Sequence, residues 1–272
     1  MKQKAIANII HLYFLRLKKH FAAIRKNITA ETIKPFRIEI KKLRAFLRLL
    51  SFEKKDPGIL ELHGDLKKMH KTGGRFRDLQ LHRQRVLDAM KKKGNSFYSD
   101  QLLKTGSTEI KKEKKHFLAG DSFSKTEKKI KEHLPEEYTT RTIKEFFRSR
   151  LEIIQEIIRA ARFSDKEMHT IRKQLKDILY ILKLYSVELK KSLGFRFWTR
   201  TELGKVKAIE DQLGFLNDSR NALALLQPTD IKGYDGEDKK LLRQVRSKLV
   251  REKRKLKKEL LASLDKIPLE KP

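Results

Sequence analysis

IKPFRIEIKKLRAFLRLL, residues 33–50, separates charged side chains from apolar ones along a helix. Five bases follow one another at alternating intervals of three and four positions, namely Lys34, Arg37, Lys41, Arg44 and Arg48. At about 100° per residue they fall within roughly an 80° sector, and Leu43 and Leu47 lie on the opposite side. A solvated helix face usually mixes acids with bases, so a stripe of cations alone predicts an extended anionic partner.

The composition allows a large folded core and also points to an anionic partner. The 272 residues are 39% hydrophobic, enough for one large or two medium domains. A count of 66 Lys and Arg against 35 Asp and Glu leaves a net charge of +31. Such a charge attracts nucleic acid, an anionic membrane surface or an inorganic polyanion. The chain has no cysteine, which excludes disulfides and thiolate metal sites.

The sequence predicts neither export nor membrane insertion. The stretch from Met1 to His20 contains no long uncharged apolar core and no small-residue cleavage site of the kind found in signal peptides. No run of about 18 apolar residues occurs, so we expect no membrane span. We therefore expect a cytoplasmic protein.

Helical spacing of apolar residues dominates the chain, and no convincing alternating strand pattern occurs, so the predicted fold class is all-α. Thr29 is predicted to cap the helix that carries the basic stripe, although Pro35 should kink that helix or shift its start. Ser164 with Glu167 forms a capping box that starts a second strong helix. A lysine-rich helix is predicted at 97–117.

Glycines are predicted to stop helices in both halves of the chain. Gly73 and Gly74 predict a tight turn between a helix at 59–71 and one at 76–92. Gly214 is predicted to close a helix that begins near residue 193.

The two halves of the chain repeat the same spacing. Counted from His169, the intervals of the first stripe give His169, Arg172, Lys176, Leu179 and Lys183, four of which are basic or imidazole. Gly74 and Gly214 are each followed four positions later by an aspartate, Asp78 and Asp218. Lys34 and His169 are separated by nearly the same length of chain as the two glycines, which indicates a duplicated unit with a small insertion. We predict repeats at 1–134 and 135–272, forming two pseudo-symmetric four-helix bundles that flank a basic central groove.

These residues resemble the CHAD domain family, an α-helical domain named for its characteristic histidines. The family pattern runs His-x-x-Arg, then bases at one-turn spacing, and later Leu-Gly-x-x-Arg-Asp. The matching residues here are His169, Arg172, Lys173 and Lys176 in the second half, and Arg37, Lys41, Arg44 and Gly74 through Asp78 in the first. Lys34 stands where the first-half histidine would lie, Asn217 replaces the second-half arginine, and Leu179 replaces a base.

The resemblance implies two four-helix bundles around a basic cavity or groove that binds inorganic polyphosphate without catalysis. Polyphosphate offers only anionic oxygens on a flexible chain, which suits arginine forks and mobile lysine charges. We predict that it is bound by Lys34, Arg37, Lys41, Arg44, Arg48, Lys67, Lys71, Arg75, Arg77, His169, Arg172, Lys173, Lys176 and Lys183. Asp78 and Asp218 are predicted to cap a helix or to orient an arginine. No cofactor is expected, and an association with polyphosphate granules or a partner enzyme stays open.

Other interpretations of the charge remain open at this point. A nucleic-acid-binding protein could use the same bases, although aromatic residues make up only 8% of the chain and no stacking platform is visible. An enzyme acting on phosphate esters would need a set of acids, and those near the stripes do not form a recognisable one. His63 and His70 could suggest a metal site but lack an accompanying carboxylate. A basic stripe can also be ordinary solvated surface.

Overall fold

A computed structural model of the protein describes residues 1–52, 60–62, 64–90, 108, 122–161, 163–188, 197–232, 234 and 236–269. In these residues the structure is helical, with one isolated bridge between Lys2 and Glu137 and no strand, which confirms the all-α class. The helices are α1 Gln3–Lys26, α2 Ala30–Leu50, α3 Gly64–Met90, α4 Ser122–Glu132, α5 Thr140–Arg159, α6 Asp165–Lys183, α7 Arg200–Ala224, α8 Pro228–Lys232 and α9 Gly236–Leu264. A π-helical turn, Leu184–Glu188, follows α6. The predicted helix at 97–117 and His63 lie outside the described residues.

The two predicted helix starts at Thr29 and Ser164 are confirmed. Thr29 Oγ1 accepts a hydrogen bond from the Thr32 amide at 3.3 Å, and the Ser164 amide donates to Glu167 Oε2 at 2.7 Å. Pro35 does not shift the start of α2, because the cap at Thr29 fixes the first turn.

The predicted helix stops at the glycines are wrong. Gly73 and Gly74 lie inside α3, and Gly214 lies inside α7. Glycine disfavours a helix interior by about 1 kcal/mol relative to alanine, which tertiary packing readily outweighs. As described below, each glycine faces an arginine that needs the space a side chain would fill.

One hydrophobic core runs through both halves of the chain. Its largest fully buried side chains include Phe14, Phe36 and Phe46 from the first half and Phe146 and Phe147 from the second. The hydroxyl of Tyr138, just beyond the predicted boundary between the repeats, donates to the carbonyl of Leu49. The division into repeats at residue 134 therefore stays a prediction.

The helices that the predicted repeat would make counterparts contact each other. Helix α1 packs on α2, and α5 packs on α6 in the same way. Helix α2 also packs against α6, and α3 packs against α7, so these two helices of the repeat each contact their counterpart. Within the described residues, no helix has the length and apolar content to cross a membrane.

Candidate functional site

The packing of α2 against α6 brings bases from both halves together around Lys41. Arg37, Lys176, Arg172 and Arg77 all lie near enough for their charges to act on the Lys41 ammonium. Burial, followed by the repulsion of these cations, lowers the pKa of Lys41 to about 7. We call these five residues the central cluster. All five were predicted from the sequence as binding residues.

The repeated glycines provide the space that the stripe arginines occupy. A Cβ atom on Gly74 would lie 3.0 Å from Cζ of Arg37, and one on Gly214 would lie 3.2 Å from Nη2 of Arg172. We call the space beside Gly73 and Gly74 that Arg37 occupies the notch. Within it, Nη1 of Arg37 donates to the carbonyl of His70. The glycine signature of the repeat is therefore a site of close helix approach.

Two residues that sequence reasoning did not assign to the site lie one helical turn before these glycines. Glu210, only 7% exposed, places Oε1 3.2 Å from Nε of Arg172 and 3.0 Å from Nζ of Lys176. His70 lies on α3 beside Arg37, and burial followed by the nearby cations lowers its pKa to about 3. Because its imidazole is then neutral at physiological pH, His70 adds no charge to the central cluster.

Asp78 and Asp218 lie at the contact between α3 and α7. Neither caps a helix, because both are inside continuous helices. Oδ2 of Asp218 lies 3.8 Å from Nη2 of Arg77, and Oδ2 of Asp78 accepts a hydrogen bond of 3.0 Å from Asn221. Burial raises the pKa of Asp78, while the charge of Arg37 acts in the opposite direction. These contacts suit a role in orienting the arginines of the central cluster.

A second group of bases surrounds the buried carboxylate of Asp177, which is 1% exposed. Nε of Arg48 donates to Oδ2 of Asp177 at 2.7 Å, and Nη2 donates to the other oxygen, so the pair is bidentate. Arg150 approaches the same carboxylate to 4.0 Å. Arg44 and Lys173 lie near this pair, and burial lowers the pKa of both. We call these four bases with Asp177 the aspartate cluster.

His169 on α6 contacts α7, the other helix of the second half that carries predicted site residues. Its Nδ1 lies 3.2 Å from Oδ1 of Asn217 on α7. Burial of the ring and the charge of Arg220 lower the pKa of His169 below its ordinary value of 6.5. The ring is therefore mainly neutral at physiological pH and acts as a hydrogen-bonding group.

Besides His169, five predicted binding residues lie outside both clusters. Lys67 forms an ion pair with Glu61. The other four are exposed on their helices, namely Lys34, Lys71, Arg75 and Lys183. The described residues contain no group of three or more His, Asp or Glu side chains placed to hold a metal ion.

Within the described residues the protein is helical, and the two helices that carry the basic stripes, α2 and α6, contact each other. The family model described as CHAD domain matches residues 8–227, and the chain belongs to the CHAD domain family. This confirms the resemblance drawn from the sequence.

Two solved structures share this fold. The CHAD domain from the plant Ricinus communis is 16% identical, with a TM-score of 0.71 over 97% of this chain and 92% of that one. PptA from Streptomyces chartreusis is 12% identical, with a TM-score of 0.64 over 97% of this chain and 99% of that one. No curated protein matches the sequence.

Proposed function

We propose that the protein binds inorganic polyphosphate at the central cluster and does not catalyse a reaction. The observation that carries the proposal is the surroundings of Lys41, where burial and four neighbouring cations lower its pKa to about 7. Cations held this closely repel one another unless an anion lies between them. The site is therefore expected to gain free energy from an anion of high charge density.

The arrangement of the bases favours a chain of phosphates over a single anion. The central cluster draws on α2, α3 and α6. Arg44 of the aspartate cluster continues the first stripe beyond Lys41, and Lys173 of that cluster directly follows Arg172 in the sequence. A flexible polyanion can contact all of these bases at once. The family resemblance implies the same ligand.

The carboxylates near the site support a binding role without catalysis. Asp177 pairs with Arg48, Glu210 contacts Arg172 and Lys176, and Asp218 faces Arg77. Enzymes that transfer phosphoryl groups generally use carboxylates to hold metal ions. Here the carboxylates serve as counter-ions to arginine and lysine. We place such a binding protein in the cytoplasm, where polyphosphate granules are one setting for it.

A competition among polyanions tests the proposal. Long-chain polyphosphate, duplex DNA and RNA of matched charge are titrated into the protein at moderate salt. We expect polyphosphate to bind at least roughly tenfold more tightly than either nucleic acid, since arginine forks and lysines grip bare phosphate oxygens. Equal affinity for the three polymers would contradict the proposal. Preference for a nucleic acid would support the alternative of a nucleic-acid-binding protein.

A pair of double variants assigns the binding to the central cluster. Lys41→Gln with Lys176→Gln removes two of its cations and should weaken polyphosphate binding by roughly tenfold or more. Arg254→Gln with Lys258→Gln removes the same charge from exposed positions on α9. Equal losses in the two variants would mean that overall charge, and not the central cluster, binds the polymer.

A further inference from the structure

The duplicated sequence makes His70 and Glu210 equivalent positions. Gly74 and Gly214 are matched positions of the repeat, and the residues four places earlier are His70 and Glu210. Both lie one turn before the glycine that faces a stripe arginine. The two halves of the central cluster therefore differ at one matched position, where one has an imidazole and the other a carboxylate.

In the second half, Glu210 already supplies an anion to the site. Its Oε1 lies 3.2 Å from Arg172 and 3.0 Å from Lys176, and the residue is 7% exposed. Neither Glu210 Oε1 nor Arg172 Nε has a hydrogen-bond partner among the described atoms, although the two lie within ion-pair distance. The carboxylate therefore compensates two cations through charge, in a buried setting where charges interact strongly.

In the first half, the matched position supplies no anion. The His70 ring is neutral because burial and the charges of Arg37, Lys41 and Arg44 lower its pKa to about 3. Asp78 and Asp218 both act on Arg37, whereas the charges that act on Lys41 are those of cations. Lys41 is therefore the less compensated base of the first half.

We propose that Glu210 is an internal counter-anion that limits polyphosphate binding in the second half and directs the first contacts of the polyphosphate chain to Lys41. This inference rests on the proposed function, because it concerns the same site. A phosphate group that binds against Arg172 and Lys176 must compete with Glu210. One that binds against Lys41 meets the neutral imidazole of His70.

Neutralising Glu210 tests the inference directly. Glu210→Gln keeps the shape of the side chain and removes its charge, so we expect roughly tenfold tighter binding of long-chain polyphosphate. The affinity should also fall more steeply with salt, because more counterions are released when Arg172 and Lys176 are free to bind phosphate. Glu252→Gln on α9 is the control, because it makes the same change of net charge at an exposed position.

The converse variant places a carboxylate in the first half. His70→Glu should weaken polyphosphate binding by roughly tenfold, since Lys41 would then be compensated as well. This variant decides the matter if Glu210→Gln does not fold, which circular dichroism reveals. An unchanged affinity in folded His70→Glu, or equal effects of Glu210→Gln and Glu252→Gln, would overturn the inference.

The behaviour of the wild type separates this inference from the proposed function. If the wild type binds polyphosphate and Glu210→Gln binds it no more tightly, the proposed function is supported and the role of Glu210 is contradicted. Binding by Glu210→Gln alone would support the counter-anion and contradict polyphosphate binding by the natural protein. Failure of both proteins to bind would overturn both proposals.

Discussion

Lys41 is the residue around which the central cluster is gathered. It belongs to the α2 stripe, yet the cations that act on it come from α2, α3 and α6. Its pKa of about 7 places the change of charge near physiological pH. Lys41 therefore has an ionisation that depends on whether an anion is bound.

Proton uptake on binding is the first prediction at this scale. At about pH 8 most Lys41 side chains are neutral, and a bound polyanion should restore the charged form by opposing the repulsion. Isothermal titration calorimetry in two buffers of different ionisation enthalpy should show protons taken up by the wild type and fewer by Lys41→Met. Equal uptake by both proteins would contradict a role for Lys41.

The same pKa shift has a consequence for stability without ligand. Between about pH 7 and 10 the unfolded chain holds a proton on Lys41 that the native state releases, so this residue contributes stability that rises with pH. Urea unfolding should therefore show the wild type gaining relative to Lys41→Met over that range. His70 and His169 give no matching change there, since both are already neutral.

At the scale of helices, the approach of α3 and α7 to the stripes depends on glycine. Arg37 lies in the notch at Gly73 and Gly74, and Arg172 faces Gly214. A glycine inside a helix lowers stability by roughly 0.5–1 kcal/mol relative to alanine. The glycines therefore lower the stability of α3 and α7, but they allow Arg37 and Arg172 to lie close to the backbone of a neighbouring helix.

Gly74→Ala separates binding from folding. The new methyl group should displace the Arg37 guanidinium and weaken polyphosphate binding, while the gain in helix propensity keeps the free energy of unfolding within about 1 kcal/mol of the wild type. Binding titrations and urea unfolding measure the two effects. Gly204→Ala is the control, because a Cβ at Gly204 on α7 meets no atom within 4 Å. Gly204→Ala should raise the free energy of unfolding and leave polyphosphate affinity unchanged. A wild-type affinity in Gly74→Ala would show that the position of Arg37 in the notch does not matter for binding.

The glycines also show how far sequence alone determined the elements. Helical periodicity and the caps at Thr29 and Ser164 are local signals, and they predicted the starts of α2 and α6. A glycine in a helical pattern can mark either a helix end or a close contact with a neighbouring helix. At Gly74 only the position of Arg37 on another helix shows that the glycine serves a close contact. The continuous forms of α3 and α7 therefore could not be predicted from their own residues.

The residues of the site could be predicted from the sequence, but their ion-pair partners could not. The five residues of the central cluster follow from the spacing of two stripes and the glycine signature beside them, because a helical repeat fixes which side chains share a face. The pairing of Arg48 with Asp177 and of Arg172 with Glu210 depends on packing between helices far apart in sequence. Asp177 directly follows Lys176 of the second stripe, but nothing in the neighbouring sequence indicates that it would bind Arg48.

For the whole molecule, a net charge of +31 acts against folding and in favour of binding. Added salt screens the repulsion among the cations and also weakens their attraction for a polyanion. Added salt should therefore raise the stability of the free protein and lower its affinity for a polyanion.

Differential scanning calorimetry should reveal both effects. Without ligand, the midpoint of thermal unfolding should rise as NaCl is raised from about 0.05 to 0.3 M, since the Debye length falls below the spacing of many surface charges. With polyphosphate present, the increase in midpoint due to ligand should be largest at low salt. An uncharged osmolyte at matched osmolarity is the control. A midpoint that falls with NaCl in the free protein would contradict the prediction.

The buried pair between Arg48 and Asp177 joins α2 to α6 across 129 residues of sequence. Separating these helices would break a bidentate pair whose carboxylate is only 1% exposed. The basic stripes are thus held at a fixed spacing before any ligand arrives. If the protein binds polyphosphate as proposed, ordering of the protein should contribute little to the entropy of association, and the entropic loss should fall mainly on the flexible polymer.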